Sequence, residues 1–387
     1  MKAIINGKLV FPERIIEGNI LIEDEKIVAA GRFDVPEDAE IIDAKGLYVG
    51  PGLIDQHSHG YQQVYEAHSA KTEPREAALG HLKHGTTSYM PSSSYGESME
   101  KHLKMIERCK DAIDNDPDTS IIGIHLEGPF INRGYGSLSD TIMDYSDEAA
   151  EMIYSAAEGY ALQCTYAPEN PYGPNVEACL RKHHILPAIG HSDASPSDVE
   201  RAVAYGAKII THTFDATGNF MGIIESAKLT QHPQQCLSDI CLSIPGLYYE
   251  LICDQNGMHV TDTNINLAYR AAGEDHIILI TDAVVELSDG MGKNADPNAD
   301  VSYDRRGILT GSRLTLAKAV RNFRKATGAD IRISFKCAST NSAKALGLDD
   351  KIGSIEAGKF ANIIFVDEDF HVKKVIFKGK EISEIRD

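Results

Sequence analysis

The sequence predicts an α/β protein in which a (β/α)8 barrel carries a small β-sandwich. Three observations support this fold class. The chain has 387 residues, which is enough for one barrel of about 250 residues and a minor domain. Eight short apolar runs alternate with helix-like stretches through the middle of the chain, which is typical of parallel βα units. Strand-like segments with turn residues occur at both ends.

The two ends of the chain share one pattern. Residues 1–52 contain short alternating apolar runs separated by glycine, proline and charged turns, as expected of small antiparallel strands. A similar pattern returns only in residues 353–387. We therefore expect the two ends to pair into one discontinuous β-sandwich domain, and residues 53–352 to form the barrel.

Eight apolar segments in the middle of the chain are predicted strands. They are residues 53–59, 86–92, 121–127, 161–167, 185–191, 207–213, 248–254 and 276–282. Helix-like segments lie between them, and two of these begin with capping residues at Ser146 and Ser195. Eight strands in this order favour a closed barrel over an open sheet.

Composition limits the classes of function. The net charge of −19 argues against binding to nucleic acids or anionic membranes, both of which need clustered Lys and Arg. The start of the chain resembles no signal peptide, and no stretch approaches the roughly 20 apolar residues that span a bilayer. We expect a soluble, cytoplasmic protein. The seven scattered cysteines form no CxxC pair, so we expect them to be reduced and mostly buried.

Residue types that bind metal ions stand at the carboxyl ends of the predicted strands. They are His57, His59, Glu127, His191, His212 and Asp282. Because barrel strands all end at one face, these residues should converge there, and the two first-strand histidines should point to the same side. One histidine alone is weak evidence. Four imidazoles and two carboxylates match the ligands that Zn2+ and Fe2+ accept, so we expect one or two divalent ions.

Further motifs extend over nearly the whole chain. They are GPGLIDQHSH (50–59), HLEGPF (125–130), GHS (190–192), TH (211–212), GMHV (257–260), TDA (281–283), GSRLT (311–315) and AGKFAN (357–362). In content and order they resemble the amidohydrolase superfamily, and within it the N-acetylglucosamine-6-phosphate deacetylases. The resemblance implies a barrel hydrolase that cleaves an amide bond with metal-activated water.

The resemblance also implies a division of the metal ligands. Glu127, His191 and His212 would hold the principal ion. Many members of the family lose the two first-strand histidines and keep one ion, whereas this chain retains His57 and His59. A second ion that shares Glu127 with the first is therefore expected.

The family further implies which residues handle the proton and the substrate. Asp282 is the expected catalytic residue, because it would accept a proton from water and pass it to the departing nitrogen. Substrate contacts are expected from His259 after the seventh strand and from Asp215 and Ala216 after the sixth. Arg133, after the third strand, is a further expected contact that the family pattern does not supply. For His259, an ordinary loop histidine without substrate contact is an equal alternative.

Two loops depart from the family pattern. The deacetylases carry a histidine in the basic stretch after the third strand, but residues 132–139 contain none. After the sixth strand, no arginine follows until Arg270, and Asp215 would repel a phosphate dianion. Arg133 and Lys228 are the nearest basic candidates for a replacement anchor. The sequence therefore supports metal-dependent amide hydrolysis better than it supports a phosphorylated substrate.

We expect a metal-dependent hydrolase that removes an acetyl group from an N-acetylated amino sugar, either N-acetylglucosamine-6-phosphate or a related N-acetylhexosamine. One alternative is a cyclic-amidase or N-acyl-amino-acid hydrolase on the same scaffold. Glu127, in place of a carboxylated lysine, argues against dihydroorotase or hydantoinase. Another alternative is a non-catalytic metal- or sugar-binding protein, although binding alone would not require Asp282. The expected partners are the small-molecule substrate and further copies of the chain in a homodimer or larger homo-oligomer.

Overall fold

The computed structural model describes residues 1–63, 66–136, 142–217, 236–285, 300–304 and 307–385. The strands of the first part of the chain are β1 (Lys2–Val10), β2 (Ile15–Glu23), β3 (Lys26–Gly31), β4 (Glu40–Asp43), β5 (Tyr48–Pro51), β6 (Leu53–Ser58), β7 (Gly60–Gln63), β8 (Glu66–Ser69), β9 (Thr86–Pro91) and β10 (Ile124–Glu127). Those of the second part are β11 (Ala161–Tyr166), β12 (Leu186–Ile189), β13 (Ile209–Ile210), β14 (Tyr248–Ile252), β15 (Ile277–Ile280), β16 (Val301–Tyr303), β17 (Leu309–Ser312), β18 (Ile363–Val366), β19 (Val372–Phe377) and β20 (Lys380–Glu381).

Helices follow most of the parallel strands. They are α1 (Pro74–Leu82), α2 (Met99–Asn115), α3 (Asp147–Ala156), α4 (Gly173–Lys182), α5 (Pro196–Ala204), α6 (Leu237–Leu242), α7 (Asp262–Ala272), α8 (Leu316–Thr327), α9 (Ile331–Phe335) and α10 (Asn341–Ala345). A π-helical turn, Lys336–Thr340, joins the last two.

The two ends of the chain meet in one eight-stranded sheet. Its order is β20-β19-β18-β5-β1-β2-β3, and β4 pairs with the free part of β1. The two ends join where β18 runs antiparallel to β5, with Phe365 opposite Val49. Both side chains are buried in an apolar cluster that also contains Ile4 and Ile376. Residues more than 300 positions apart therefore share one small core.

The parallel strands follow the order that the sequence predicts. Strands β10 to β15 form a six-stranded parallel sheet in chain order, and β6 and β9 form a parallel pair. All eight predicted strands are present, although some are shorter than expected. The third predicted strand begins at Ile124 rather than at residue 121, and Ile121 forms only an isolated bridge. The sixth predicted strand is reduced to Ile209–Ile210.

Backbone contacts continue on both sides of the β6–β9 pair. On one side, Ser92 forms a parallel bridge with His125, just beyond the end of β9. On the other, the amide of Asp282 donates to the carbonyl oxygen of His57 at 2.9 Å. The carboxyl ends of β6, β10 and β15 are therefore neighbours, and the residues that follow them face a common space.

The helices begin and end where local chemistry predicts. In α5, the Ser195 side chain accepts from the amide of Asp198 while the Asp198 carboxylate accepts from the amide of Ser195, which satisfies two backbone groups of the first turn. Helix α8 begins after the Thr315 cap and ends at Gly328, whose left-handed backbone suits glycine. The two helices predicted from their capping serines, α3 and α5, are confirmed.

Burial agrees with the apolar pattern. The parallel strands and their helices contribute to one large apolar cluster, which Ile364 and Val375 of the terminal sheet also join, and a second, smaller cluster lies within that sheet. All seven cysteines are unpaired, and five are buried, namely Cys109, Cys164, Cys241, Cys253 and Cys337. In the described part of the chain, no helix is long and apolar enough to cross a membrane.

Candidate metal centre

Four histidines surround the carboxyl group of Glu127, which lies at the carboxyl end of β10. His191 Nε2 is 2.9 Å from Glu127 Oε1, and His212 Nε2 is 3.3 Å from the same oxygen. His57 Nε2 lies 3.4 Å from Oε1, and His59 Nε2 lies 3.2 Å from Oε2. The structure thus brings together residues at the carboxyl ends of four different strands.

Asp282 completes the group from the end of β15. Its Oδ1 lies 3.3 Å from His59 Nε2 and 3.5 Å from His57 Nε2. All six predicted ligands are buried, and none is more than 8% exposed. The expected convergence at one face of the parallel strands is therefore present in the structure, while the role of each residue stays a prediction.

The outer nitrogen of each imidazole has a partner outside the cluster. His191 Nδ1 donates to the carbonyl oxygen of Tyr135, and His212 Nδ1 donates to that of Asp215, each at 3.0 Å. Because a carbonyl oxygen can only accept, these two Nδ1 atoms carry the hydrogen. When these imidazoles are neutral, as metal binding requires, their Nε2 lone pairs face Glu127. This is the arrangement that orients metal-binding histidines in proteins.

In the two first-strand histidines, side chains rather than backbone carbonyl groups contact the Nδ1 atoms. His59 Nδ1 is 3.3 Å from Ser94 Oγ, and His57 Nδ1 is 3.4 Å from Glu250 Oε2. Neither Ser94 nor Glu250 was predicted as a site residue. Both act through contacts between distant parts of the chain, and no local motif marks either of them.

Three of the six clustered residues have left-handed backbones. The φ angles are 48° at His191, 29° at His212 and 46° at Asp282. Non-glycine residues adopt this region infrequently, and such conformations concentrate at functional sites. Each of these residues lies two positions after the end of a parallel strand, so the turn aims its side chain across the ends of the strands.

A short hairpin of β16 and β17 packs against Asp282. The amide of Ser312 donates to the Asp282 carbonyl oxygen at 2.9 Å. The neighbouring Gly311 permits this approach, since a Cβ there would lie 2.7 Å from that same oxygen. The hairpin thereby fixes the backbone of the expected catalytic residue.

The charges of the cluster depend on one another. Burial would raise the pKa of Glu127, but the neighbouring His191 and His59 outweigh it and hold that pKa well below its usual value. Burial likewise opposes protonation of His212, yet Glu127 and Asp215 raise its pKa to about 9. Burial would raise the pKa of Asp282, and His57 and His59 lower it instead. In the metal-free protein the carboxylates are thus ionised near neutral pH.

The residues fit a divalent ion. Two overlapping groups, His57 with His59 and Glu127, and Glu127 with His191 and His212, each offer ligand atoms within 4.8 Å of one another. His57 Nε2 is buried and lacks a hydrogen-bond partner among the described residues. Imidazole nitrogen and carboxylate oxygen are the ligands that zinc and iron accept.

A cavity of about 320 Å3 opens over the cluster. Five of the six predicted ligands line it, all except His57, and so do Asp215 and Ala216. Tyr95 and Tyr135, which were not predicted, also line it, and the Tyr95 ring lies 4.6 Å from the His191 ring. No lysine or arginine is among the described residues that line this cavity.

Two predicted substrate residues lie off the cavity wall. His259 is 7% exposed, and its Nδ1 lies 3.3 Å from Asp254 Oδ2. Arg133 donates instead to the carbonyl oxygen of Ile142 and to the Asp144 carboxylate, and its side chain is 55% exposed. Lys228, the other basic candidate, lies outside the described residues.

A third group of metal-type side chains lies on α3 and α4. Glu151 Oε2 is 3.2 Å from His183 Nε2 and 3.6 Å from Cys179 Sγ. Lys182 Nζ, however, lies 2.6 Å from the other oxygen of Glu151, so a cation there would meet a positive charge. We assign no metal site to this group.

A cluster of imidazoles and carboxylates at the carboxyl ends of parallel strands is typical of metal-dependent hydrolases. The chain belongs to the amidohydrolase family, whose model matches residues 48–382. This confirms the superfamily resemblance that the motifs indicate.

Known proteins similar to this chain match it over nearly its full length. It is 28% identical to the N-acetylglucosamine-6-phosphate deacetylase of Caenorhabditis elegans, over 97% of this chain and 90% of that protein. It is 27% identical to the enzyme of the same name from Lysinibacillus sphaericus, over 94% and 92%. The crystal structure of the Thermotoga maritima enzyme matches with a TM-score of 0.80 at 26% identity, over 98% of this chain and 99% of that one.

The protonation of the cluster predicts how metal binding depends on pH. Because the pKa of His212 is raised to about 9, a proton competes with the ion for this imidazole below that pH. We expect the affinity for Zn2+ to rise with pH between about 6 and 8, by about tenfold per unit for each proton displaced. Calorimetric titration of metal-free protein at several pH values measures this. An affinity that does not change with pH would contradict the assignment.

Proposed function

We propose that this protein is a metal-dependent hydrolase that removes the acetyl group from an N-acetylated amino sugar, with N-acetylglucosamine-6-phosphate or a related N-acetylhexosamine as substrate. The observation that carries the proposal is the convergence of four imidazoles and Asp282 on Glu127. The names of the full-length relatives, all N-acetylglucosamine-6-phosphate deacetylases, support the choice of reaction.

Zn2+ or Fe2+ is the proposed cofactor. Glu127, His191 and His212 would hold the principal ion, and His57 and His59 would hold a second ion that shares Glu127. A divalent ion bound there lowers the pKa of a water molecule from about 15.7 toward about 7 and polarises the amide carbonyl group. The burial of the ligands supports this chemistry, since electrostatic interactions are stronger away from bulk water.

Asp282 is the proposed general base and acid. Its carboxylate lies at the edge of the cavity, 3.3 Å from His59 Nε2, and its lowered pKa keeps it ready to accept a proton near neutral pH. It would take the proton of the attacking water and deliver it to the amide nitrogen. An amine leaves readily only when protonated, so both transfers are needed.

Support for the proposed substrate contacts differs from residue to residue. Asp215 and Ala216 line the cavity and would contact the sugar. Asp254 and Asp215 raise the pKa of His259 against the opposing effect of burial, but His259 lies off the cavity wall, so its contact with the sugar stays a prediction. For Arg133 the contact with Asp144 offers no such support, so its role as an anchor stays a prediction.

We also propose that the eight parallel strands close into a (β/α)8 barrel of residues 53–352, with residues 1–52 and 353–387 forming a β-sandwich beside it. The backbone bonds on both sides of the β6–β9 pair support closure. The shared terminal sheet supports the division into domains. A homodimer or larger homo-oligomer and a cytoplasmic location stay predictions.

Loss of the proton acceptor should slow the reaction more than it weakens substrate binding. We expect Asp282→Asn, which keeps the shape of the side chain, to lower kcat by at least about 100-fold with a smaller change in KM. Steady-state kinetics of acetate release measure this, with metal content determined in parallel. The exposed Asp349→Asn is the matched control and should leave kcat unchanged. A near-normal kcat in Asp282→Asn would remove Asp282 from proton transfer.

The acidic cavity predicts a modest preference for phosphate. Each charge-assisted contact to phosphate contributes about 1.5–3 kcal/mol, so two dedicated contacts would favour the phosphorylated sugar by several hundredfold or more. Since the described lining residues include no Lys or Arg, we expect a smaller ratio of kcat/KM between N-acetylglucosamine-6-phosphate and N-acetylglucosamine. A ratio of a thousandfold or more would refute this. If Arg133→Ala then abolished that ratio, the anchor would lie on the loop after β10.

A further inference from the structure

Glu250 lies in the middle of β14, and its side chain is fully buried. Two neutral amides hold one oxygen of its carboxyl group. Oε1 accepts from Gln56 Nε2 at 2.7 Å and from Gln163 Nε2 at 3.0 Å. These glutamines come from β6 and β11, and Gln56 Nε2 also lies 3.1 Å from Gln163 Oε1. The orientation of the carboxyl group is thereby fixed from two sides.

The second oxygen of Glu250 faces the candidate metal centre. Oε2 lies 3.4 Å from His57 Nδ1, and this is its one hydrogen bond within the described residues. A carboxylate oxygen accepts, so His57 Nδ1 is the donor. In the neutral imidazole, the form that binds a metal, Nε2 is then the nitrogen with the lone pair, and it points towards Glu127 and Asp282.

The four histidines of the cluster differ in what holds them. Backbone carbonyl oxygens orient His191 and His212, and no side-chain substitution removes those acceptors. His57 instead depends on the side chain of Glu250. A change at Glu250 should therefore affect the orientation of His57 and spare that of His191 and His212.

We infer that Glu250 is a positioning residue that holds the His57 ring with Nδ1–H outward and Nε2 towards the cluster, which makes the second ion site beside His57 and His59 available. This inference rests on the metal centre proposed above. It does not depend on which amide the protein cleaves. Carboxylate partners of metal-binding histidines in other proteins commonly contribute 10- to 100-fold to metal affinity.

The test is Glu250→Gln in the full-length protein, with metal binding as the readout. The amide can still accept from the two glutamines through its oxygen, but it presents N–H to His57 Nδ1. That nitrogen must then accept, and the hydrogen moves to Nε2, where it blocks the ion. Equilibrium dialysis with Zn2+, and the absorption of bound Co2+, should show one ion bound with wild-type affinity and a second ion bound with an affinity about 10- to 100-fold lower.

Two further variants isolate the contact. Glu177→Gln makes the same change at another fully buried glutamate, which accepts from Tyr166 and Arg201 away from the cluster, and it should keep both ions. In a His57→Gln background, Glu250→Gln should cause no further loss, because the contact it removes is already absent. If Glu250→Gln melts far below the wild type, Glu250→Asp is measured instead and should weaken the same ion by a smaller factor.

The outcomes separate this inference from the proposed reaction. Wild-type affinity for two ions in Glu250→Gln, equal loss of both ions in the folded variant, or only one ion in the wild-type protein would each overturn the role of Glu250. Two ions in the wild type, with the expected selective loss but without acetate release, would leave the role of Glu250 intact and refute the proposed reaction.

Discussion

The site depends on one carboxyl group that four imidazoles approach. Glu127 meets the Nε2 atoms of histidines from three other strand ends at 2.9–3.4 Å. In the metal-free protein the neighbouring His191 and His59 hold the pKa of Glu127 well below its usual value against burial. Burying charged groups is costly unless they are paired or bind a metal. This cost supports the proposal that the cluster is a ligand set, which the surrounding fold holds together.

The fold supplies this set through strand ends and turns. Parallel strands bring their carboxyl ends to one edge, and left-handed residues at that edge turn side chains across it. Outward hydrogen bonds at each Nδ1 then orient the rings towards the centre. Two of the partners are backbone carbonyl oxygens and are set by the path of the chain. The other two, on Ser94 and Glu250, are side chains that a substitution can remove.

Much of this was accessible from the sequence. The eight parallel strands have a clear apolar pattern, and their terminal residues carry the chemistry, so the cluster could be predicted by position alone. Contacts between distant strands leave no local signal, and Glu250 and Tyr95 were missed for that reason. Arg133 is a basic residue on the predicted loop, but there its side chain contacts Asp144, so its role as an anchor stays a prediction. The side-chain direction on a loop depends on packing that spacing does not encode.

Acetate release by protein with and without its metal tests the account most directly. The protein would be stripped with a chelator, refilled with Zn2+ or Fe2+, and supplied with N-acetylglucosamine-6-phosphate and its unphosphorylated form. The account predicts no acetate above the uncatalysed rate from the stripped protein and recovery when the ion is restored. Full turnover in rigorously metal-free protein would contradict it. So would metal-loaded protein that releases acetate from neither sugar.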